Sequence, residues 1–84
     1  MRHARDEYLD RLEPLLAAIR LRTGLVERKR GTFYRKGQAF LHFHEHAGQL
    51  LADLRADVGF TRFELVADQW QPLLAALDAQ LSRR

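Results

Sequence analysis

Thr32 to Arg55 reads TFYRKGQAFLHFHEHAGQLLADLR, three alternating apolar and polar runs interrupted at Lys36-Gly37 and Ala47-Gly48. Glycine takes a positive φ without steric cost, so each dipeptide suits a two-residue hairpin turn. The first turn pairs Arg35 with Gln38, Tyr34 with Ala39 and Phe33 with Phe40. The second pairs His46 with Gln49, Glu45 with Leu50, His44 with Leu51, Phe43 with Ala52 and His42 with Asp53. Directly opposed residues share a face and neighbours along a strand do not, so these two turns sort the stretch into two surfaces. One is a core face of Tyr34, Ala39, Leu41, Phe43, Leu50, Ala52 and Leu54. The other is mixed, with Phe33, Arg35, Phe40, His42, His44, Leu51, Asp53 and Arg55. A slip of one residue would exchange the two.

Around this β-meander the chain offers a helix on each side. Residues 4–21 carry Tyr8, Leu9, Leu12, Leu15, Leu16 and Ile19 at helical spacing, with Pro14 predicting a kink or break and Gly24 a stop. LVERKR (residues 25–30) reads as an edge strand whose charged half resists pairing with strangers. FTRFELV (residues 60–66) reads as a further strand with Phe60, Arg62 and Glu64 on one side, after a loop at residues 56–59. Residues 68–82 form the last helix, burying Trp70, Leu73, Leu74, Leu77 and Leu81. Both helices begin alike, DRLEPLLAAI from Asp10 and DQWQPLLAAL from Asp68, each resembling a capping box. Convergence on a good helix start explains this better than duplication, since the strands between show no matching halves. The expectation is a two-layer α+β sandwich, a four- to five-stranded antiparallel meander with two helices on one face, in the order α-β-β-β-β-α.

The 84 residues amount to one small domain, residues 1–84, which buries about 60–65% of its unfolded surface. With no cysteine, disulfides, thiolate catalysis and cysteine-held metal sites are excluded, and a reducing cytoplasm suits the composition. The opening MRHARDEYLDRL lacks the apolar core of a signal peptide, and no apolar run reaches the roughly 18 residues of a membrane span. Cytoplasmic residence, with no membrane partner, is therefore expected. A formal charge of +3 permits an acidic partner without specifying one. The excess gathers in Arg28-Lys29-Arg30 and Arg83-Arg84, which read more simply as a solvated turn and tail than as a phosphate-binding patch.

Among chemical features the HFHEH run stands out. His42, His44 and His46 fall on one side of a strand, with Asp53 opposite His42. Imidazole with carboxylate suits Zn²⁺, Ni²⁺ or Cu²⁺, which makes these four residues a candidate metal site. The plainer alternative pairs His42 with Asp53 across the strands and leaves the others in water, in which case the aspartate raises the histidine's pKa. No other cofactor is implied. A nucleophilic enzyme lacks its parts: Ser82, the only serine, lies in the tail, and neither Thr32 nor Thr61 has a histidine in register. Phe33 and Phe40 with Arg35, Arg55 and Arg62 offer stacking and phosphate contacts for a single-stranded nucleic acid, a reading weakened by a strand order unlike the familiar RNA-binding sheet.

AFLHFHE (residues 39–45), ADLR (residues 52–55) and GFTRFEL (residues 59–65) resemble a group of short bacterial proteins sharing a FYRKG/AFLHFHE core, over residues 30–75. The resemblance implies a small intracellular protein of undefined activity and transfers no functional residue. The residues themselves favour a non-enzymatic interaction module. Phe33, Phe40, Leu51 and Phe60 on a sheet face that helices leave uncovered would form an apolar patch, and a homodimer through that face would bury it. Its interface would hold Phe33, Arg35, Phe40, His42, His44, Leu51, Asp53, Arg55, Phe60 and Arg62.

Overall fold

The computed structural model describes residues 2–83, which leaves Arg84 of the terminal basic pair outside the described residues. The chain is α+β, with an open antiparallel sheet and three helices. In order come β1 (Arg2–His3), α1 (Asp6–Arg11), α2 (Glu13–Arg20), β2 (Val26–Lys29), β3 (Thr32–Arg35), β4 (Gln38–His46), β5 (Gln49–Arg55), β6 (Phe60–Glu64) and α3 (Gln71–Leu81). Strands β2 to β6 lie side by side in sequence order, and β1 pairs with β4 beyond the end of β3. No helix among the described residues is long and apolar enough to cross a membrane.

Both hairpin turns form where the glycines place them. Lys36 and Gly37 have φ of 51° and 79°, and Ala47 and Gly48 have φ of 51° and 78°, the doubly left-handed geometry whose twist matches that of the strands. The β4–β5 register follows the turn chemistry throughout, from His46↔Gln49 to His42↔Asp53. In β3–β4 the first two pairs, Arg35↔Gln38 and Tyr34↔Ala39, also agree. There the register breaks, because Phe33 pairs with Leu41 and Phe40 is left over as a bulge.

That extra residue corrects the face assignment. Phe33 now shares the side of Leu41, and both Phe33 (1% exposed) and Phe40 (4%) enter the core. Arg35 goes with them: its guanidinium lies 5.5 Å from the Phe40 ring centre and donates to the carbonyls of Gln80 and Leu81 at the end of α3 and of Arg83 just past it. Tyr34 and Ala39 pass to the opposite side. A fully buried phenylalanine gains about 1.5–3 kcal/mol over an exposed one, so two of them outweigh one unpaired ladder residue.

The amphipathic amino-terminal segment is two helices, since Leu12 leaves helical geometry (ψ 5°) and Pro14 sits in the first turn of α2, where its missing N–H costs nothing. Pro72 does the same in α3. The capping boxes do not form: Leu12 and Trp70 occupy the cap positions, without side-chain capping bonds. Leu15, Leu16 and Ile19 of α2 and Leu73 and Leu77 of α3 share one core with Leu41, Phe43 and Leu54 of the sheet. The expected order lacked β1, gave four strands where β2 to β6 are five, and counted one helix too few. Arg2–His3 is too short for periodicity to reveal, and it is fastened by tertiary contacts. Arg5 donates through its backbone N–H, Nε and Nη2 to the buried carboxylate of Glu45, which faces Arg2 across the strands.

Candidate functional site

On the side of the sheet away from that core, register builds two ranks of side chains. Thr32, His42, Asp53 and Arg62 form one rank across β3, β4, β5 and β6. His3, His44, Leu51 and Glu64 form the next, across β1, β4, β5 and β6. The nine-residue strand β4 is what sets His42 and His44 on one side, because strand side chains repeat every second residue.

The two ranks meet in a small polar cluster. His42 Nδ1 and His44 Nε2 lie 2.6 Å apart, and His44 Nε2 is 3.3 Å from Asp53 Oδ2. Arg62 donates to both oxygens of Asp53, Nε to Oδ1 at 2.9 Å and Nη2 to Oδ2 at 3.0 Å. The Phe60 ring meets His42 edge-on at 5.2 Å between centres. His44 Nδ1 is buried and has no hydrogen-bond partner among the described residues. The other nitrogen sets the tautomer: Nε2 faces the Asp53 carboxylate oxygen and His42 Nδ1, two groups able to accept a proton's hydrogen bond, whereas Nδ1 faces none. His44 therefore carries its proton on Nε2 and donates to Nδ1 of His42.

His42 pairs with Asp53 in register, as the turn predicted, yet its pKa moves down and not up. Burial is the main cause and neighbouring His44 adds to it, against a smaller upward pull from Asp53. The aspartate's charge is already engaged: the hydrogen bonds from Arg62 hold its carboxyl below the usual carboxylate range. Near neutral pH the cluster accordingly offers a neutral imidazole beside an ionised carboxylate.

Of the sequence-derived metal candidates, His42, His44 and Asp53 bring one ligand atom each to within 4.8 Å of the others. His46 is exposed beside the Ala47-Gly48 turn and stays outside this group. His3, unremarked in the sequence, is the cross-strand neighbour of His44, but its Nε2 lies 3.1 Å from the Arg30 carbonyl oxygen. Arg62 is the partner of Asp53 that sequence reasoning missed; carrying the register on through residues 56–59 would have aligned the two.

Of the ten residues expected on a mixed interface face, Phe33, Arg35 and Phe40 lie on the side of the core. His42, His44, Leu51, Asp53, Arg55, Phe60 and Arg62 remain together. Leu51 is buried among its neighbours, whereas Phe60 is exposed on this face, as is Val26, the partner of Tyr34 on β2. Arg55 stacks 4.9 Å over the Phe60 ring and donates to the Ala39 carbonyl. The two phenylalanines invoked for stacking nucleobases are thus in the core. The basic run is also partly spent: Arg30 pairs with Asp10 and Glu13, and Arg28 stacks 4.4 Å over Tyr34. Comparison with protein families, curated proteins and solved structures finds no match for this chain, so function has to be read from these side chains.

Proposed function

We propose that the three helices cover one face of the sheet and that the uncovered face binds a divalent transition-metal ion through His42 Nδ1, His44 Nε2 and Asp53 Oδ2. The observation that carries this reading is the convergence of two imidazole nitrogens and a carboxylate oxygen, from two adjacent strands, within 4.8 Å. Two nitrogens with one oxygen suit Zn²⁺, Ni²⁺ and Cu²⁺ better than Mg²⁺ or Ca²⁺, and copper stands highest in the general affinity order. Three protein ligands leave a coordination position for water. Arg62 can keep its bond to Asp53 Oδ1 while Oδ2 turns to the metal, the outer support that ligating carboxylates commonly have.

Ligation through His44 Nε2 moves that ring's proton to Nδ1, where no acceptor waits among the described residues. A site lacking such support is weaker by about 10–100-fold than one with it, so binding is reversible and not structural. Metal titration of untagged protein tests the reading. Zn²⁺, Ni²⁺ or Cu²⁺ should bind at one equivalent and raise the melting temperature, and His44→Gln should abolish both effects while leaving the fold intact. Absence of a thermal shift with all three ions would refute it.

A further inference from the structure

The free edge of β6 points to a second binding surface, beside the histidine cluster. Among the described residues β6 is hydrogen-bonded to β5 alone. Leu65 donates to the Leu50 carbonyl and Ala56 to that of Gly59, so the odd-numbered residues 59–65 turn their backbone groups toward β5. Phe60, Arg62 and Glu64 consequently aim their N–H and C=O groups outward. All three side chains are exposed, and the β5–β6 register contains no bulge. Large apolar side chains cluster here as well: Val58 (92% exposed), Phe60 (42%) and Val66 (56%) lie on or beside this strand.

We propose that β6 pairs antiparallel with β6 of a second copy of this chain, about a two-fold axis at Phe63, joining two sheets into one. In that register Phe60 faces the partner's Val66 and Arg62 faces the partner's Glu64, with each relation repeated by symmetry. Outward amides meet outward carbonyls only when the register shifts by an even number of residues. A shift of two in one direction sets Arg62 against the partner's Arg62, and in the other direction Glu64 against the partner's Glu64. Like charges directly opposed are destabilising, which leaves the Phe63-centred pairing as the one that matches charge and apolar surface together. Arg62 is equipped for it: Asp53 takes Nε and Nη2, and Nη1 has no partner among the described residues. The contact is one strand wide, so the dimer is weak and concentration-dependent.

Sedimentation equilibrium of the full chain from micromolar to millimolar concentration tests this. Wild type should pass from monomer to dimer. Glu64→Lys, an exposed change whose folding circular dichroism verifies, converts both attractive pairs to repulsive ones and should weaken the dimer roughly 10- to 100-fold. Phe63→Cys supplies the chain's only thiol, and oxidation should link the two copies covalently because opposed residues in a non-hydrogen-bonded pair approach within disulfide reach. A wild-type monomer throughout, a dimer indifferent to Glu64→Lys, or a folded, dimeric Phe63→Cys protein that does not cross-link would each overturn the proposal.

Discussion

The two outer strands of this sheet face the same hazard, a row of unpaired backbone groups, and meet it differently. β2 carries Glu27, Arg28 and Lys29, and its ladder is interrupted by an irregularity between Glu27 and Lys29. Glu27 is held by Arg20 of α2 at 2.6 and 3.0 Å and accepts from the Gly31 N–H, which ties the edge to the body of the protein. Charge and a bulge are the common protections of an exposed edge. β6 has an unbroken register and is bordered by exposed valines. The contrast teaches that open edges need not be equivalent: one is built to refuse a strand, and the other is shaped to accept one.

The largest effect separates the buried and exposed phenylalanines of the two sides. Phe33→Ala, behind the β2 edge, should cost about 3–5 kcal/mol in urea unfolding, as for other core phenylalanines. Phe60→Ala on β6 should cost less than about 1 kcal/mol at concentrations where the protein is monomeric. Equal costs would mean that the bulge does not bury Phe33 in solution.

A third stretch of edge, β4 beyond β3, is closed by β1 and the Arg5–Glu45 pair. Burial raises the Glu45 carboxyl, but the hydrogen bonds from Arg5 outweigh that and hold its pKa below the ordinary value. Its stabilisation is thus fully present above the unfolded pKa of about 4.3 and is lost as pH falls through the folded value. Glu45→Gln should therefore be less stable than wild type at pH 7, with the gap closing as pH falls below 4.3; a constant gap would show that charge plays no part.

Hydrogen exchange sharpens the comparison without mutation. The amides of Phe60, Arg62 and Glu64 should gain protection as concentration rises, whereas outward amides on β2 should exchange at a rate independent of concentration. The smallest effect concerns the turn at Ala47, which belongs to neither edge. Ala47 sits at φ 51°, where a Cβ is disfavoured and asparagine is better tolerated. Ala47→Asn should stabilise by about 0.5 kcal/mol, read as a shift of the urea midpoint at unchanged slope.

What the sequence determined by itself is local. Lys36-Gly37 and Ala47-Gly48 specified both turns, and the second of them set the whole β4–β5 register, including His42 opposite Asp53 and His44 on the same side, because turn geometry and strand alternation act over a few residues. Pro14 likewise marked the break in the amino-terminal helix through its missing N–H, whereas the starts at Glu13 and Gln71 lie three residues past the aspartates that the capping pattern favoured. Tertiary structure decided the rest. Hairpin geometry permits Phe33 to face Phe40; only the helices, by offering a place to bury both rings, favour the bulge that moves Phe33, Arg35 and Phe40 across the sheet. Asp53 could have answered to His42, but β6 brought Arg62 alongside it, a stronger and permanently charged partner, and burial leaves the histidine neutral. β1 exists because Glu45, buried by the fold, draws Arg5 and the residues before it onto β4. In each case the choice turns on burial and on which charge arrives from a distant strand, energies that a short stretch of sequence does not contain.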